Sequence, residues 1–366
     1  MIPQRFGDSP PFSLGVEEEL MILDRETFAQ VAGVDRILGR AQGLELPGLL
    51  KTELFASVVE TNTEICESVA EVEAALPVLR QAAAAAADAE GLRIAAAATH
   101  PFAEPTEQPI VEEKRYLTFL GYGGVTVRRQ GVQGLHVHVG MPSPEDCWQC
   151  LEGILPWLPV VLALSANSPW YAGEVTGFAS NRAPVLAELP RAGGPPAFDS
   201  YAEWEAWVER LVRFGLAEDG TRIWWDVRPH PGLGTLEVRI ADQPTDVRLA
   251  AAFTALLQAL CATALAGNLP GRSLLGDRGR GDYAQNRWAA ARFGPPAELI
   301  HPDGSGPVPA AQLGDELIRL VEPEAARLGG AAALARIDPR RSEADLQLGH
   351  ASALEVTADL AARTLV

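Results

Sequence analysis

The sequence predicts an α+β fold built on a largely antiparallel sheet. Short segments with period-two alternation, such as "GLHVHVG" at 134–140, read as strands. Alanine-rich and amphipathic segments between them read as helices. The two kinds of segment follow one another without the regular βαβ rhythm of a parallel sheet. With 366 residues, 47% of them hydrophobic, the chain can build one large core or two small ones. No internal repeat or heptad array divides it, and residues 1–366 are read as a single domain.

In chain order, residues 13–23 read as a strand and 24–27 as a turn. A second β-prone run lies in "KTELFASVVETNTE", 51–64. Glu71 to Glu90 is an alanine-rich helix, "LRIAAAATH" at 92–100 a strand, and 101–110 a proline-rich loop. Residues 144–166 read as a helix broken near Pro156 and Pro159, because proline removes a backbone donor and clashes with the preceding turn. A loop at 190–200 precedes an amphipathic helix at 200–216, with Trp204, Trp207 and Leu211 on one side. A strand and turn follow at 234–245, then a mostly apolar helix at 247–267. Residues 269–283 show no periodicity and read as a loop; the C-terminal third reads as alanine-rich helix.

The formal net charge of −18 argues against a general nucleic-acid binder, which needs a basic face. "CWQC" at 147–150 has redox-motif spacing, but the four cysteines, Cys66, Cys147, Cys150 and Cys261, read as reduced thiols of a cytoplasmic protein. No apolar signal segment or run of 18 uncharged apolar residues appears, so no membrane association is expected.

Polar pairs on three strands carry the chemistry. In "GVEEE" alternation puts Glu17 and Glu19 on one face and Glu18 on the other. In "LHVHVG", His136 and His138 share a face opposite Leu135, Val137 and Val139. In "TLEVRI", Glu237 and Arg239 share a face opposite Leu236, Val238 and Ile240. Each pair alone has a plain reading: a solvated edge strand, a satisfied polar face, a cross-strand ion pair. If the three strands line one cavity, carboxylates, imidazoles and a guanidinium converge there. Unpaired carboxylates are too costly to bury there, and Mg²⁺ or Mn²⁺ would compensate them. Spacing alone leaves hydrolysis and phosphoryl transfer both open.

The ordered set "SLGVEEELMILDRET", "ELFASVVETNTEIC", "GLHVHVG", "LSANSPWYAG", "GFASNR", "TLEVRIAD" and "NRWAAARFG" resembles the carboxylate–amine ligases, also called glutamate–cysteine ligase type 2. The resemblance runs from about residue 13 to about residue 295. It implies a fold similar to the catalytic domain of glutamine synthetase, a curved antiparallel sheet forming a funnel with helices outside. It also implies that ATP phosphorylates the γ-carboxylate of glutamate, and that the amine of cysteine then attacks the acyl phosphate to give γ-glutamylcysteine.

By the same resemblance, Glu17, Glu19, Glu53, Glu60, His136 and Glu237 hold Mg²⁺. Glu53 and Glu60 are seven residues apart, so a regular strand would split them between faces and a bulge or turn is required. His138 lies nearer the substrate, Arg239 binds phosphate, and Arg182 contacts the transferred phosphoryl group or the acidic substrate. Asn286 and Arg292 match a motif without an assigned role, and Glu18 is structural. The implied partners are ATP and amino acids, with no nucleic acid and no membrane; homo-oligomerisation and the identity of the amine stay open. Competing readings are a metal-dependent amidase, a ligase for another acid–amine pair, and a non-catalytic binding protein. Closing segments are expected at 190–200 and 270–283.

Overall fold

The computed structural model describes residues 3–271 and 277–366. Among the described residues, seven strands form one sheet in which every pairing is antiparallel. They are β1 (Leu14–Asp24), β2 (Gly48–Thr52), β3 (Val58–Thr63), β4 (Leu92–Ala95), β5 (Leu135–Gly140), β6 (Val227–His230) and β7 (Thr235–Val238). Their spatial order is β6-β7-β5-β1-β3-β2. The long β1 pairs with β3 on one side. On the other it pairs with β5 along Leu14–Glu18 and with β4 along Met21–Asp24. The expected α+β class with an antiparallel sheet is met.

The larger helices are α1 (Val34–Ala41), α2 (Val69–Ala89), α3 (Lys114–Gly123), α4 (Pro144–Ile154), α5 (Leu158–Ser165), α6 (Tyr201–Arg213), α7 (Val247–Leu265), α8 (Asp277–Phe293), α9 (Ala310–Arg327) and α10 (Ala353–Arg363). One face of the sheet is apolar. Leu14 and Val16 of β1 stand opposite Val139 and Val137 of β5, and Leu236 and Val238 of β7 continue the row. All are buried in one core with α4, α5 and α7. Each such side chain contributes roughly 1.5–3 kcal/mol by burial. α2 starts at Ser68, whose hydroxyl accepts from Glu71 N, and it buries Val72, Leu76, Leu79 and Ala83 at helical spacing. The segments Pro144–Ser165 and Val247–Leu265 are long and apolar enough to cross a membrane, yet are 83% and 89% buried inside the molecule.

Several segments differ from the sequence reading, each for a local reason. The run 51–64 is two strands, β2 and β3, joined by a turn. β4 stops at Ala95 because Ala96 N donates to Thr364 Oγ1 and Ala98 N to Asn167 O, which removes the next ladder bonds. Pro156 falls in a 3₁₀ turn, Leu155–Trp157, that separates α4 from α5 as expected. Ala192–Gly193, within the expected loop, pairs in parallel with Trp224–Trp225. The aperiodic segment 269–283 is helical from Asp277 onward, while 272–276 lies outside the described residues. A small hairpin, Glu298–Ile300 with Pro307–Pro309, interrupts the C-terminal helices. The four cysteines are buried and free.

Candidate active site

The other face of the sheet is polar, and the register explains why. Antiparallel partners share a face, so each row of partners aligns its side chains. Glu17 stands between His136 of β5 and Asn62 of β3. Glu19 stands opposite Glu60, which stands opposite Lys51 of β2. His138 stands opposite Glu237, which stands opposite Arg228 of β6. These rows floor a cavity of about 410 Å³.

Among the expected residues, Glu17, Glu19, Glu53, Glu60, His136, His138, Glu237 and Arg239 all line this cavity. Glu53 reaches it because the chain reverses between Thr52 and Val58, the turn that the seven-residue spacing demanded. The Tyr116 hydroxyl of α3 lies 3.0 Å from Thr52 O and 3.2 Å from Glu53 Oε2, its one proton shared between the two acceptors. Arg182 does not line the cavity. It is buried behind the floor, with Nη2 donating to Arg239 O at 2.8 Å and Nη1 to Ile240 O at 3.2 Å. A Cβ on Gly134 would come within 2.2 Å of Arg182 Nη2, so only glycine lets the guanidinium pass there. Gly134 N in turn donates to Glu19 Oε2 at 2.7 Å.

Asn286 and Arg292 lie outside the cavity. The Asn286 side chain exchanges two 2.8 Å hydrogen bonds with Ile300 and ties the small hairpin to α8. Arg292 lies over the Phe178 and Phe293 rings. Between them in sequence, Arg287 grips buried Asp226, with Nε donating to Oδ2 at 2.7 Å. Tyr283 donates to the same oxygen at 2.7 Å, and Asp226 O accepts from Arg239 N at 2.8 Å. Arg239 is thus held by its backbone on both sides, by Asp226 and by Arg182.

The cavity's charges fall into two groups. In the first, burial works against a charge on Glu237, but Arg228 and Arg239 outweigh it and hold the carboxyl well below the usual range. Arg228 Nε donates to Glu237 Oε2 at 2.6 Å, and Arg239 Nη1 donates to Oε1. Burial likewise opposes a charge on Glu17, yet the hydrogen bond from His136 and the His138 ring close by outweigh it and keep the carboxyl low. His136 is pushed down to about 3, first by burial and then by Arg239, so it is neutral near pH 7. In the second group, burial and then the Glu53 charge push Glu19 up to about 8. Burial, then Glu17 and Glu53, push Glu60 well above the usual range. The ammonium of Lys51 is 2.9 Å from Glu60 Oε1 and 3.9 Å from Glu17 Oε1. These carboxylates hold Lys51 charged despite its burial.

A divalent cation fits this donor set. One ligand atom each of Glu17, His138 and Glu237 lies within 4.8 Å of the others. His138 Nε2 is buried and has no hydrogen-bond partner among the described residues, its nearest carboxylate oxygen, Glu17 Oε1, being 3.6 Å away. His138 Nδ1 is occupied by Thr235 Oγ1 at 2.9 Å, which leaves Nε2 aimed at the carboxylates. His136 sits one row over, its Nδ1 3.1 Å from the second oxygen of Glu17. Arg239 Nε is likewise buried and unpartnered among the described residues.

Sequence reasoning missed Arg228, Lys51 and Tyr116. The turn signal "HPGLGT" at 230–235 marks a β6–β7 hairpin, and its register would have set Arg228 against Glu237. Nothing local announces Tyr116, because α3 lies far from Glu53 in the chain.

Comparison with known proteins identifies the family. The model of glutamate–cysteine ligase family 2 matches residues 13–348. A Rubrobacter xylanophilus protein named "Putative glutamate–cysteine ligase 2-3" is 42% identical over 326 residues, covering 89% of this chain and 87% of the relative. A Herpetosiphon aurantiacus protein named "Putative glutamate–cysteine ligase 2" is 37% identical over 328 residues, covering 90% of this chain and 85% of the relative. The fold is similar to that of Francisella tularensis glutamate–cysteine ligase in complex with AMP, with a TM-score of 0.63 and 13% identity over 98% of this chain and 89% of that one. It is also similar to a bifunctional glutathione synthetase from Pasteurella multocida, with a TM-score of 0.69 and 15% identity over 97% of this chain and 52% of that one. Matched over most of its length by the family and its relatives, the chain belongs to glutamate–cysteine ligase family 2 and is a ligase.

Proposed function

We propose that this ligase uses ATP to activate the γ-carboxylate of L-glutamate as an acyl phosphate and joins it to the amine of L-cysteine, releasing ADP and phosphate. The observation that carries the reading is the meeting of Glu17, His138 and Glu237 beside the unpartnered Nε of Arg239. AMP in the Francisella structure supports nucleotide use. Phosphoryl transfer asks the protein for in-line positioning and charge neutralisation rather than covalent chemistry, and such a floor offers both.

Glu17, Glu237 and His138 would hold one Mg²⁺, with His138 taking the part that the family resemblance gave to His136; Glu19, Glu53 and Glu60 would hold another. Bound Mg²⁺ neutralises phosphate charge. Arg239 donates its free Nε to the transferred phosphoryl group. His136, neutral, holds the second oxygen of Glu17 in place. Arg182 acts through Arg239, whose carbonyl it fixes, and does not reach the substrate itself. Every strand of the sheet except β4 supplies the site, so residues 1–366 are read as one catalytic domain, and four free buried cysteines accord with a cytoplasmic enzyme.

The test is ADP release with Mg²⁺ over a panel of acids and amines, with mass spectrometry of the product. Glutamate and cysteine should give the largest ATP-dependent release, with a γ-linked dipeptide. Another pair giving more would move the substrate assignment. Amide hydrolysis that proceeds without ATP, with no ADP release for any pair, would replace the ligase mechanism with a hydrolytic one.

A further inference from the structure

We propose that Lys51 is a resident counter-ion of the carboxylate cluster, which a divalent cation must displace, and that it sets how tightly the site takes metal. The inference rests on the reading of Glu17, His138 and Glu237 as one cation site and of Glu19, Glu53 and Glu60 as a second beside it. Lys51 stands directly opposite Glu60 in the β2–β3 register, so its side chain rises on the cavity face. Its ammonium bridges carboxylates from two strands, 2.9 Å from Glu60 Oε1 and 3.9 Å from Glu17 Oε1. Nζ thus stands against a ligand oxygen of each proposed cation site, and a divalent ion taken up on either oxygen would lie close to the ammonium, where two positive charges repel.

The guanidinium cations packed into the floor are committed elsewhere. Arg228 and Arg239 are committed to Glu237, and Arg182 to backbone carbonyls. Lys51 is different. Among the described residues, its ammonium contacts only the two carboxylates, and its side chain is 37% exposed on the edge strand β2. A flexible four-carbon stem lets the charge swing out to water while the methylenes stay against the strand. A second feature points to an incoming cation: the buried, unpartnered Nε2 of His138, 3.6 Å from the same oxygen of Glu17. Metal loading is then an exchange, one ammonium out and one divalent ion in. Without metal, Lys51 is the ion that keeps mutually repelling carboxylates packed together.

The experiment compares the full chain with Lys51→Met and Lys51→Arg, stripped of metal by chelation. Each is titrated with Mn²⁺ by calorimetry without nucleotide, and thermal midpoints are taken with and without Mn²⁺. Lys51→Met should bind Mn²⁺ roughly fivefold more tightly, the scale of losing one half-exposed ion pair. Its midpoint should fall without metal and approach the parental value at saturating Mn²⁺. Lys51→Arg keeps the charge and should bind no more tightly than the parent. Unchanged or weaker binding by Lys51→Met, or a midpoint deficit undiminished by Mn²⁺, overturns the role given to Lys51. If Lys51→Met does not fold without metal, Lys51→Arg decides, because tighter binding there overturns the exchange. A parent that binds no Mn²⁺ at all defeats the underlying metal reading, which a parent that binds normally leaves standing.

Discussion

Arg80 and Glu18 form a fully buried ion pair on the face of β1 that points away from the cavity. Arg80 Nε donates to Glu18 Oε2 at 3.0 Å and Nη2 to Oε1 at 2.5 Å. The remaining donors of the guanidinium go to the carbonyls of Pro244, Thr245 and Thr364. Gln243 links the two faces: its Nε2 donates to Glu18 Oε1 at 2.9 Å, and its Oε1 accepts from Glu19 N at 3.1 Å. The middle glutamate of "EEE" is therefore a structural anchor, and its neighbours are left to the site.

Glu18→Gln should cost about 3–5 kcal/mol of stability, because it strands the Arg80 charge in the core. Turnover per folded molecule should stay near the parental value, since the side chain never reaches the cavity. Denaturant unfolding alongside an ADP-release assay checks both. Parental stability in the variant would mean that Arg80 finds another partner.

Glu17→Gln and Glu237→Gln should each weaken Mn²⁺ binding and reduce turnover severely, because each removes a charge from a set whose donor atoms lie within 4.8 Å of one another. Glu237→Gln should also be destabilising, as it leaves Arg228 and Arg239 facing each other across a neutral amide. Calorimetric titration with Mn²⁺ and a thermal midpoint separate the two effects. Normal metal affinity in both variants would sink the assignment.

Arg239→Lys should not behave as a conservative change. Lysine keeps the charge but loses the planar fork, including the unpartnered Nε. Loss of one charge-assisted hydrogen bond in the transition state, ~1.5–3 kcal/mol, slows turnover roughly 10- to 150-fold. Measuring turnover and thermal midpoint on one preparation decides the matter: full turnover with a lowered midpoint would make Arg239 a structural ion-pair partner only.

His100 should make stability fall in mild acid. Its Nδ1 accepts from Ala103 N at 2.9 Å and Phe102 N at 3.2 Å, and its Nε2 donates to Phe28 O at 3.0 Å. That pattern requires the neutral ring, and burial pushes the group down to about 4. The unfolded chain, with an ordinary histidine near 6.5, binds this proton first. The stability His100 contributes is thus complete above pH ~6.5 and is lost as pH falls towards 4. Unfolding free energies of the parent and His100→Gln at pH 7 and pH 5 should show a steeper loss in the parent. Equal slopes would exclude His100 as the source.

What could be read from the sequence was whatever a single strand decides for itself. Period-two alternation separates Glu17 and Glu19 from Glu18, pairs His136 with His138, and pairs Glu237 with Arg239, all without knowledge of neighbours. Partners brought by topology stayed hidden. Arg80 reaches Glu18 across 62 residues, and Tyr116 reaches Glu53 across 63. Arg182 carries a motif's signature, yet its place behind the floor depends on how Gly134 and the Arg239 carbonyl pack around it. The choice between His136 and His138 as the free ligand turns on Thr235 capping one ring nitrogen of His138, a contact made only when β5 and β7 meet.

The central position of β1 also makes it a strand that counts its own residues. Paired on both sides along Glu17 and Glu18, it cannot slide to absorb an insertion or deletion. Removing one residue between Val16 and Glu19 would reverse the facing of everything on one side of the lesion. A glutamate would swing into the apolar layer and an aliphatic side chain onto the cavity floor. Single-codon length changes here should be among the least tolerated in the gene, far less so than changes of equal size in the 190–200 segment.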